Sequence, residues 1–410
     1  MEVIILKYHI HELTERLVEK SDEITQWMKR KRSEVPMPIY GSVDIRDSGW
    51  KVAVVDANQF PAGFNNISDD DELKLSLLLR EHILREKLNC KWVHIYPESH
   101  TRNKGYVENI STIKRLLEIS GFRCTVGSPE LEGYGSLDGI IEPLILDRVI
   151  LSEDILLVND EIPDLILLNN DLTEGILPGL LTNQVTPPPD MGWQRRRKSE
   201  HYACLQSYVE EIALILEIDP WHLMTDWFVS ENKCLEKEAC REKLAIEVDA
   251  FLEKITKKYK SLGIDREPVA FVKNDRGTYG LGIMAISSGE ELLNLSNRKR
   301  NRLMYSKGGV EVENFLIQEG VPTSLFTTEG SPVEPVVYLI DGEAASWFYR
   351  VNAKKNEMQN LNSPSAKFLT YKESGYQFGE HAQSWHALVS ELSMLAMGAE
   401  LTQQTADENS

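Results

Sequence analysis

The densest chemistry in the chain lies in residues 268–285, PVAFVKNDRGTYGLGIMA. A β-type run delivers Lys273; Gly277, Thr278, Tyr279, Gly280 and Gly282 form a loop; and a second β-type run leaves it. Glycines let backbone N–H groups approach phosphate oxygens, and a lysine beside them supplies a compact positive charge. This is neither a GxxxxGK[ST] loop nor a strand–GxGxxG–helix turn, because the exit reads as strand. A glycine-rich hairpin with a surface lysine has the same pattern.

Further along, FLIQEG (315–320) is a short apolar run with a polar exit at Gln318 and Glu319. It would offer backbone donors and acceptors to an adenine edge, or it is an edge strand entering a turn. YLIDGEAASWFYR then sets Asp341-Gly342-Glu343 at a hairpin turn, with Arg350 ending the returning strand. Lys354, Lys355, Glu357, Asn360 and Asn362 follow in a polar loop. An arginine at a strand end followed by lysines suits a phosphate or acyl-phosphate; a solvated charged loop is the plainer reading.

Near the other end of the chain, Asp44 sits on one β-type run and Asp56-Ala57-Asn58 closes the next. A turn at Asp47-Ser48-Gly49 brings the two aspartates to neighbouring points on one face, and Asp, Asp and Asn oxygens are hard ligands suited to Mg²⁺. Arg46 stands on the same run as Asp44. Asn65 and Asn66 lie in an irregular loop whose amides suit an amino acid's α-groups, as an Asx-turn also would. In PESHTRNKGY, at a strand end, Arg102 is a carboxylate-binding candidate, and Asn170 occupies the corresponding end of a later strand. Arg46, Asn65, Asn66, Arg102 and Asn170 form the expected substrate-binding set.

The elements that must position these groups follow from pattern. Residues 1–35 read as an amphipathic helix closed by Pro36 and Pro38, and 39–45 with 50–56 as a strand pair. Ser68 and Asp71 have capping-box spacing before a helix whose apolar side would use Leu73, Leu77, Leu84 and Leu88. Strands at 92–96, 122–126, 155–158 and 164–169, with a helix at 106–119, predict an open α/β unit. A helical stretch over 198–262 ends at Gly263, and strands dominate from 268 to 350. Residues 377–398 read as helix, with a frayed tail after them.

Composition bounds the rest. With 410 residues, 42% hydrophobic and 27% charged, the chain is an ordinary multidomain globular protein. Its formal net charge of −19 disfavours bulk nucleic-acid binding while leaving room for a local basic pocket. Five scattered cysteines without a CxxC indicate neither a disulfide framework nor a thiolate zinc site, so a reduced cytoplasmic setting is expected. No signal-peptide core and no eighteen-residue apolar run occur, so no membrane association is expected.

The order strand–Lys273–glycine loop–strand, then FLIQEG, then a DGE hairpin ending in arginine, resembles the ATP-grasp fold. DGEAASWFYR with NEMQNL looks like the corresponding run of bacterial glutathione synthetases. The resemblance implies that Lys273 binds ATP, that Gly277 to Gly282 cover its phosphates and that Gln318 and Glu319 mark the adenine hinge. It also implies that Arg350 reaches the γ-phosphate region. That pattern expects an acid-x-Asn magnesium triplet C-terminal to these motifs. Asp44 and Asp56-x-Asn58 have its form at the opposite end, which implies a circularly permuted arrangement; Glu357 with Asn360 is the alternative metal set.

Over about residues 5–395 the chain is similar to the proteobacterial glutamate–cysteine ligases that are distinct from those related to glutamine synthetase. VDIRDSGWKVAVVDANQFPAGFNNI, NNDLTEG, TPPPDMGWQRRRKSEH and VKNDRGTYGLGIM carry the likeness. It implies ATP-dependent ligation of the glutamate γ-carboxylate to the cysteine amine through an acyl-phosphate, with ATP and Mg²⁺ required. The substrates would be L-glutamate, L-cysteine and ATP, and a homo-oligomer is left open. Within Arg195–Lys198, Lys198 would be the first ATP lysine, with Lys273 the second, or Arg197 a substrate-carboxylate, catalytic arginine beside Lys273 and Arg350; a solvated charge run is the alternative. The expected architecture is α/β and α+β, multidomain: 1–68 completing the nucleotide site, 69–200 on the substrate side, 201–398 holding the ATP-grasp-like region, and 399–410 a tail.

Overall fold

The computed structural model describes residues 10–276, 282–304, 312, 314–374 and 382–408. The first half runs α1 (Thr14–Glu19), α2 (Ser21–Glu34), β1 (Tyr40–Asp47), β2 (Val52–Asn58), α3 (Glu72–Glu86), β3 (Trp92–Pro97), α4 (Lys104–Ile119) and β4 (Arg123–Val126). Then come β5 (Ser136–Leu137), β6 (Leu144–Ile145), β7 (Val149–Ser152), β8 (Ile155–Val158), β9 (Leu165–Asn169), α5 (Pro178–Thr182) and β10 (Val185–Thr186). Next are α6 (Lys198–Leu216), β11 (Trp227–Ser230), α7 (Glu238–Ser261), β12 (Ala270–Asn274), β13 (Ile283–Ile286), α8 (Glu290–Leu293) and α9 (Asn297–Met304). The chain finishes with β14 (Phe315–Glu319), β15 (Val333–Ile340), β16 (Glu343–Val351), β17 (Lys367–Leu369), α10 (Tyr371–Ser374) and α11 (Ala382–Glu408).

Three sheets position the site. The largest, β17-β16-β15-β1-β2, joins the N-terminal hairpin to strands from the last third of the chain, all antiparallel. A parallel sheet has the order β10-β9-β3-β4, and an antiparallel one β11-β14-β12-β13. Both predicted hairpin turns depend on backbone that glycine permits. Gly49 has φ +85° and donates its N–H to Asp47 Oδ1 at 2.9 Å. Asp341 and Gly342 have φ +53° and +83°, the two positive values that let a two-residue turn follow strand twist.

One face of the five-stranded sheet buries Val43, Ile45, Val337 and Leu339 in a core shared with residues of α6 and α11. The opposite face divides. Tyr40, Tyr338 and Phe348 join the core of α3, α4 and β3, while Asp44, Asp56 and Arg350 are left lining a cavity. Charged groups packed under an apolar helix would lose solvation without compensation, so this part of the sheet has no such cover.

Several expectations are corrected. Helix α3 buries Leu75, Ser76, Leu79, His82 and Ile83, whereas Leu73, Leu77 and Leu88 are exposed and Leu84 is only partly buried. ELKLSLLLREHIL is leucine-rich on two arcs, and the packed arc is the one carrying His82, whose Nδ1 meets Asp341 Oδ1 at 2.9 Å. Ser68 makes no capping bond; a short 3-10 turn over Asp69–Asp71 precedes the helix. The stretch 198–262 is two helices, interrupted around Pro220 and by β11. β8 pairs with β7 in its own hairpin instead of joining the parallel sheet, and α11 remains helical through Glu408 where a frayed tail was expected.

The corrected face of α3 can be measured. Leu79→Ala should destabilise the protein by about 2–5 kcal/mol in urea unfolding, because Leu79 is 2% exposed and leaves a core cavity. Leu77→Ala, at 51% exposure, should change stability by no more than about 0.5 kcal/mol. The opposite ranking would restore the originally expected face.

Candidate active site

Register decides the geometry. β1 and β2 pair Asp44 directly with Asp56 and Ser42 with Asn58, so the period-two alternation sets Asp44, Asp56 and Asn58 on one face. Beside them Glu334 on β15 faces Arg350 on β16. Arg350 Nη1 donates to Asp44 Oδ2 at 2.8 Å and also to Glu334, and Arg46 Nε donates to Glu334 Oε2 at 2.6 Å. Two lysines arrive from elsewhere. Lys198, at the first turn of α6, donates to Asp56 Oδ1 at 2.9 Å; Lys273, on β12, donates to Val55 O at 2.9 Å.

Burial and charge set the protonation of this cluster. Burial pushes the Asp44 carboxyl up to about 6 against the pull of Arg350, with Glu334 adding to the rise. Burial also opposes ionisation of Asp56, but Lys198 and Lys273 outweigh it and hold that carboxyl below its ordinary value. Lys273 is pushed down to about 8 by burial, partly offset by Asp56. Arg350 is desolvated too, yet Asp44 and Glu334 hold its affinity for the proton above the ordinary value. Asp56 is therefore kept anionic, as is Glu334 between its two arginines, whereas Asp44 is the carboxyl pushed toward protonation.

Two cavities meet at this wall. The smaller is lined by Lys273, Phe271, Ile283, Gln318, Glu319 and Val321. The other, of about 1590 Å³, opens toward Asn65, Asn66, Glu98, Tyr106, Asn169 and Asp171, at the carboxyl ends of β3 and β9. Asp44, Asp56 and Asn362 line both. Such an arrangement lets one ligand present its reacting end to another across a shared, charged partition.

The remaining expected residues fall in and out of this frame. Asn58, Asn65, Asn66 and Arg350 line the larger cavity, while Arg46 and Asn360 line the smaller. Arg46 is consumed by Glu334 and by the carbonyls of Glu357 and Gln359 at 2.7 and 2.8 Å, so it anchors the loop over the cavity. Lys355 lines a neighbouring groove that shares Phe271, Ile283, Asn360 and Asn362 with the smaller cavity. Gly277, Thr278, Tyr279 and Gly280 lie outside the described residues; Gly282 enters β13 with φ +71°.

Arg102 is exposed and lines neither cavity, since the strand end turns it outward ahead of α4. Asn170 lines neither as well: its amide holds Pro97 O at 3.1 Å and Leu172 N–H at 2.9 Å, a loop brace. Within the basic cluster only Lys198 reaches the site. Arg197 pairs with Glu200 at 3.5 Å and Arg195 with Asp190 at 3.3 Å, while Arg196 is buried on Glu400 and on Ala57 O, bracing α11 against β2. The alternative metal set is weakened, because Glu357 Oε1 is bound by Arg266 at 2.9 Å and does not line the cavity. Finally β14 is an inner strand between β11 and β12, which corrects the edge-strand reading. Glu319 is locked by Lys51, both side chains 0% exposed, and its N–H is spent on Asp226 O at 2.8 Å.

Sequence reasoning missed Glu334 and Glu98. The signal was available for both: Glu334 is the lone acid in the run VEPVVYLI, and Glu98 lies two residues beyond the predicted strand 92–96. Arg46, which binds Glu334, comes from a distant part of the chain.

The glutamate–cysteine ligase (GshA) family matches residues 14–401. The chain belongs to that family. It is an ATP-dependent ligase that joins glutamate to cysteine. The crystal structure of a protein from Methylobacillus flagellatus KT assigned as a gamma-glutamylcysteine synthetase is 30% identical, with TM-score 0.89, covering 98% of this chain and 99% of that one. A glutathione synthetase-like effector of Globodera pallida in its apo form is 9% identical, with TM-score 0.40, over 88% and 80% of the two chains. D-alanyl-alanine synthetase A of Vibrio cholerae O1 biovar eltor is 11% identical, with TM-score 0.35, over 75% and 81%. No curated protein sequence gives a match. Among the described residues of the ligase no helix is long and apolar enough to cross a membrane.

A divalent cation is implied for this chemistry, and the donor set can be tested against it. Among the described residues no group of three His, Cys, Asp or Glu side chains forms a metal cage. The pair Asp44 and Asp56 with the Asn58 amide does fit a cation that takes most of its ligands from phosphates and water. Arg350 occupies one oxygen of Asp44 and Lys198 one oxygen of Asp56, so each carboxylate keeps a second oxygen for a metal.

The depressed Lys273 ammonium carries a pH consequence. The group is charged below about 8 and loses its charge above it, so ATP affinity should fall as pH rises through that value. Equilibrium titration should weaken about tenfold from roughly pH 7.5 to roughly pH 9.5, and Lys273→Arg should remove the decline because guanidinium does not titrate there. A decline that persists in the arginine variant would exclude Lys273 as its source.

Proposed function

We propose that the wall formed by Asp44, Asp56 and Arg350 is where the γ-carboxylate of glutamate is phosphorylated by ATP and then acylates cysteine. The observation that carries this reading is the sharing of Asp44 and Asp56 by two cavities, one with Lys273 and one opening on polar side chains. ATP occupies the smaller cavity, its phosphates beside Lys273 and Lys198 and its base toward Gln318, Glu319 and Val321. The amino acids occupy the larger one.

In the first step a γ-carboxylate oxygen bonds to the terminal phosphorus as the bond to the ADP oxygen breaks. Lys273, Lys198 and Arg350 neutralise charge on the transferring group, and their fixed placement avoids reorganisation during the step. In the second step the cysteine amine attacks the acyl carbon and phosphate leaves with the electron pair of the C–O bond. The amine proton passes to phosphate or water. Asp44, Asp56 and Asn58 would hold Mg²⁺, whose contribution when bound is neutralisation of phosphate charge. No protein nucleophile is required, in keeping with cysteines 90 and 204 being buried and 124 and 234 half-buried.

The architecture is read as a permuted ATP-grasp arrangement: the acid-x-Asn element arrives from the N-terminal hairpin and pairs through β1 with β15, so one sheet unites sequence-distant halves of the site. An amino-acid panel with ATP and Mg²⁺, scored for phosphate release and product mass, tests the reading. Product formation that requires both glutamate and cysteine supports it; phosphate release that is maximal with another donor acid would reassign the larger cavity.

A further inference from the structure

Glu98 and Asp171 stand at the end of the larger cavity formed by the carboxyl ends of β3 and β9, on a different sheet from Asp44, Asp56 and Arg350. The side chain of Glu98 is 11% exposed. Its Oε1 accepts the Asp171 N–H at 2.7 Å, and its Oε2 lies 3.2 Å from His100 Nε2. The loop is held firmly: Glu98 N–H donates to Tyr106 Oη at 2.8 Å, and Tyr106 Oη donates to Asn169 O at 2.7 Å. Arg350 is the one lysine or arginine among the described lining residues, and it belongs to the phosphate wall. Its Nε is buried and has no hydrogen-bond partner among the described residues.

The ligand must therefore show an anion to the Arg350 wall and a cation to the Glu98 end. Chemistry says which substrate that is. The acceptor amine has to be unprotonated to attack, so the acceptor loses its ammonium charge during the reaction. The donor amino acid keeps its α-ammonium throughout.

We propose that Glu98, with Asp171 beside it, binds the α-ammonium group of the donor and so makes the enzyme select an amino dicarboxylate and present its distal carboxylate to the phosphate wall. This rests on the ligase reading above. Glu98 is a specificity determinant: it contacts the donor at the end remote from the reacting carbon. A dicarboxylate lacking the α-amino group meets the same wall but gains nothing from Glu98.

The test compares L-glutamate with glutarate, which differs only by that amino group, using glutarate as a competitive inhibitor so that no turnover of it is needed. In Glu98→Gln the retained amide oxygen can still accept the Asp171 N–H. KM for L-glutamate should rise at least ~30-fold, consistent with loss of a charge-assisted contact. The inhibition constant of glutarate, KM for cysteine and KM for ATP should each stay within about threefold. A proportional weakening of glutamate and glutarate would make Glu98 a purely structural brace. A rise in the KM of cysteine instead would assign the acidic end to the acceptor. Either result overturns the proposal. If the Glu98 variant does not melt cooperatively, Asp171→Asn is put through the same comparison with the same criteria. A wild-type enzyme inactive with glutamate and cysteine would instead reject the ligase reading itself.

Discussion

Asp56→Asn is expected to lower turnover by roughly three orders of magnitude at ordinary Mg²⁺ while leaving the fold intact. Asp56 is held ionised by Lys198 and Lys273, and it lines both cavities. The asparagine keeps an oxygen for the Lys198 hydrogen bond, so the local contact network survives. What would disappear is the negative charge that Asp56 would offer a divalent cation. Partial rescue by high Mg²⁺ or by Mn²⁺ would support direct ligation. Near-wild-type activity with no metal dependence would mean that Asp56 only organises the two lysines and that the cation is held elsewhere.

Lys273→Ala should reduce kcat/KM for ATP at least ~100-fold, the scale of losing one preorganised charge from a phosphoryl-transfer site. The amine is buried, 2.9 Å from Val55 O, one residue from Asp56 and on the wall of the smaller cavity. Its absence would leave one lysine, Lys198, beside Asp56. Lys273 is 6% exposed, so thermal melting is measured alongside activity to separate a lost charge from a lost fold. A tenfold or smaller loss with unaltered ATP binding would remove Lys273 from the nucleotide site.

Double substitution separates the two contributions. Lys198 and Lys273 act on the same carboxylate, Asp56, so their effects should be non-additive in a double-mutant cycle. Lys51 and Glu319 offer the contrasting case. They form a buried pair at the Glu319 edge of the smaller cavity, where removing one partner strands the other charge without solvent.

The sequence by itself determined the chemistry-bearing groups and most local elements. Lys273 with its glycines, Asp44 with Asp56-x-Asn58, Arg350 after the Asp341-Gly342 turn, and the strand pair around Gly49 follow from residue type, spacing and turn chemistry, which are local properties. Side-chain alternation alone was enough to put Asp44 and Asp56 on one face. What only the tertiary structure decided was partnership. Nothing local distinguishes Lys198, which reaches Asp56, from Arg197, which reaches Glu200, or from Arg196, which is buried on Glu400. Nor does it reveal that Glu334 ties Arg46 to Arg350, or that Glu98 and Asp171 close the far end of the larger cavity. The same limit explains the misplaced face of α3, whose leucines populate two arcs until packing against the rest of its core selects one. Helix and turn preferences are set within a few residues, whereas ion pairs and burial depend on which distant strands become neighbours. Here β1 lies between β2 and β15, and that pairing assembles the site.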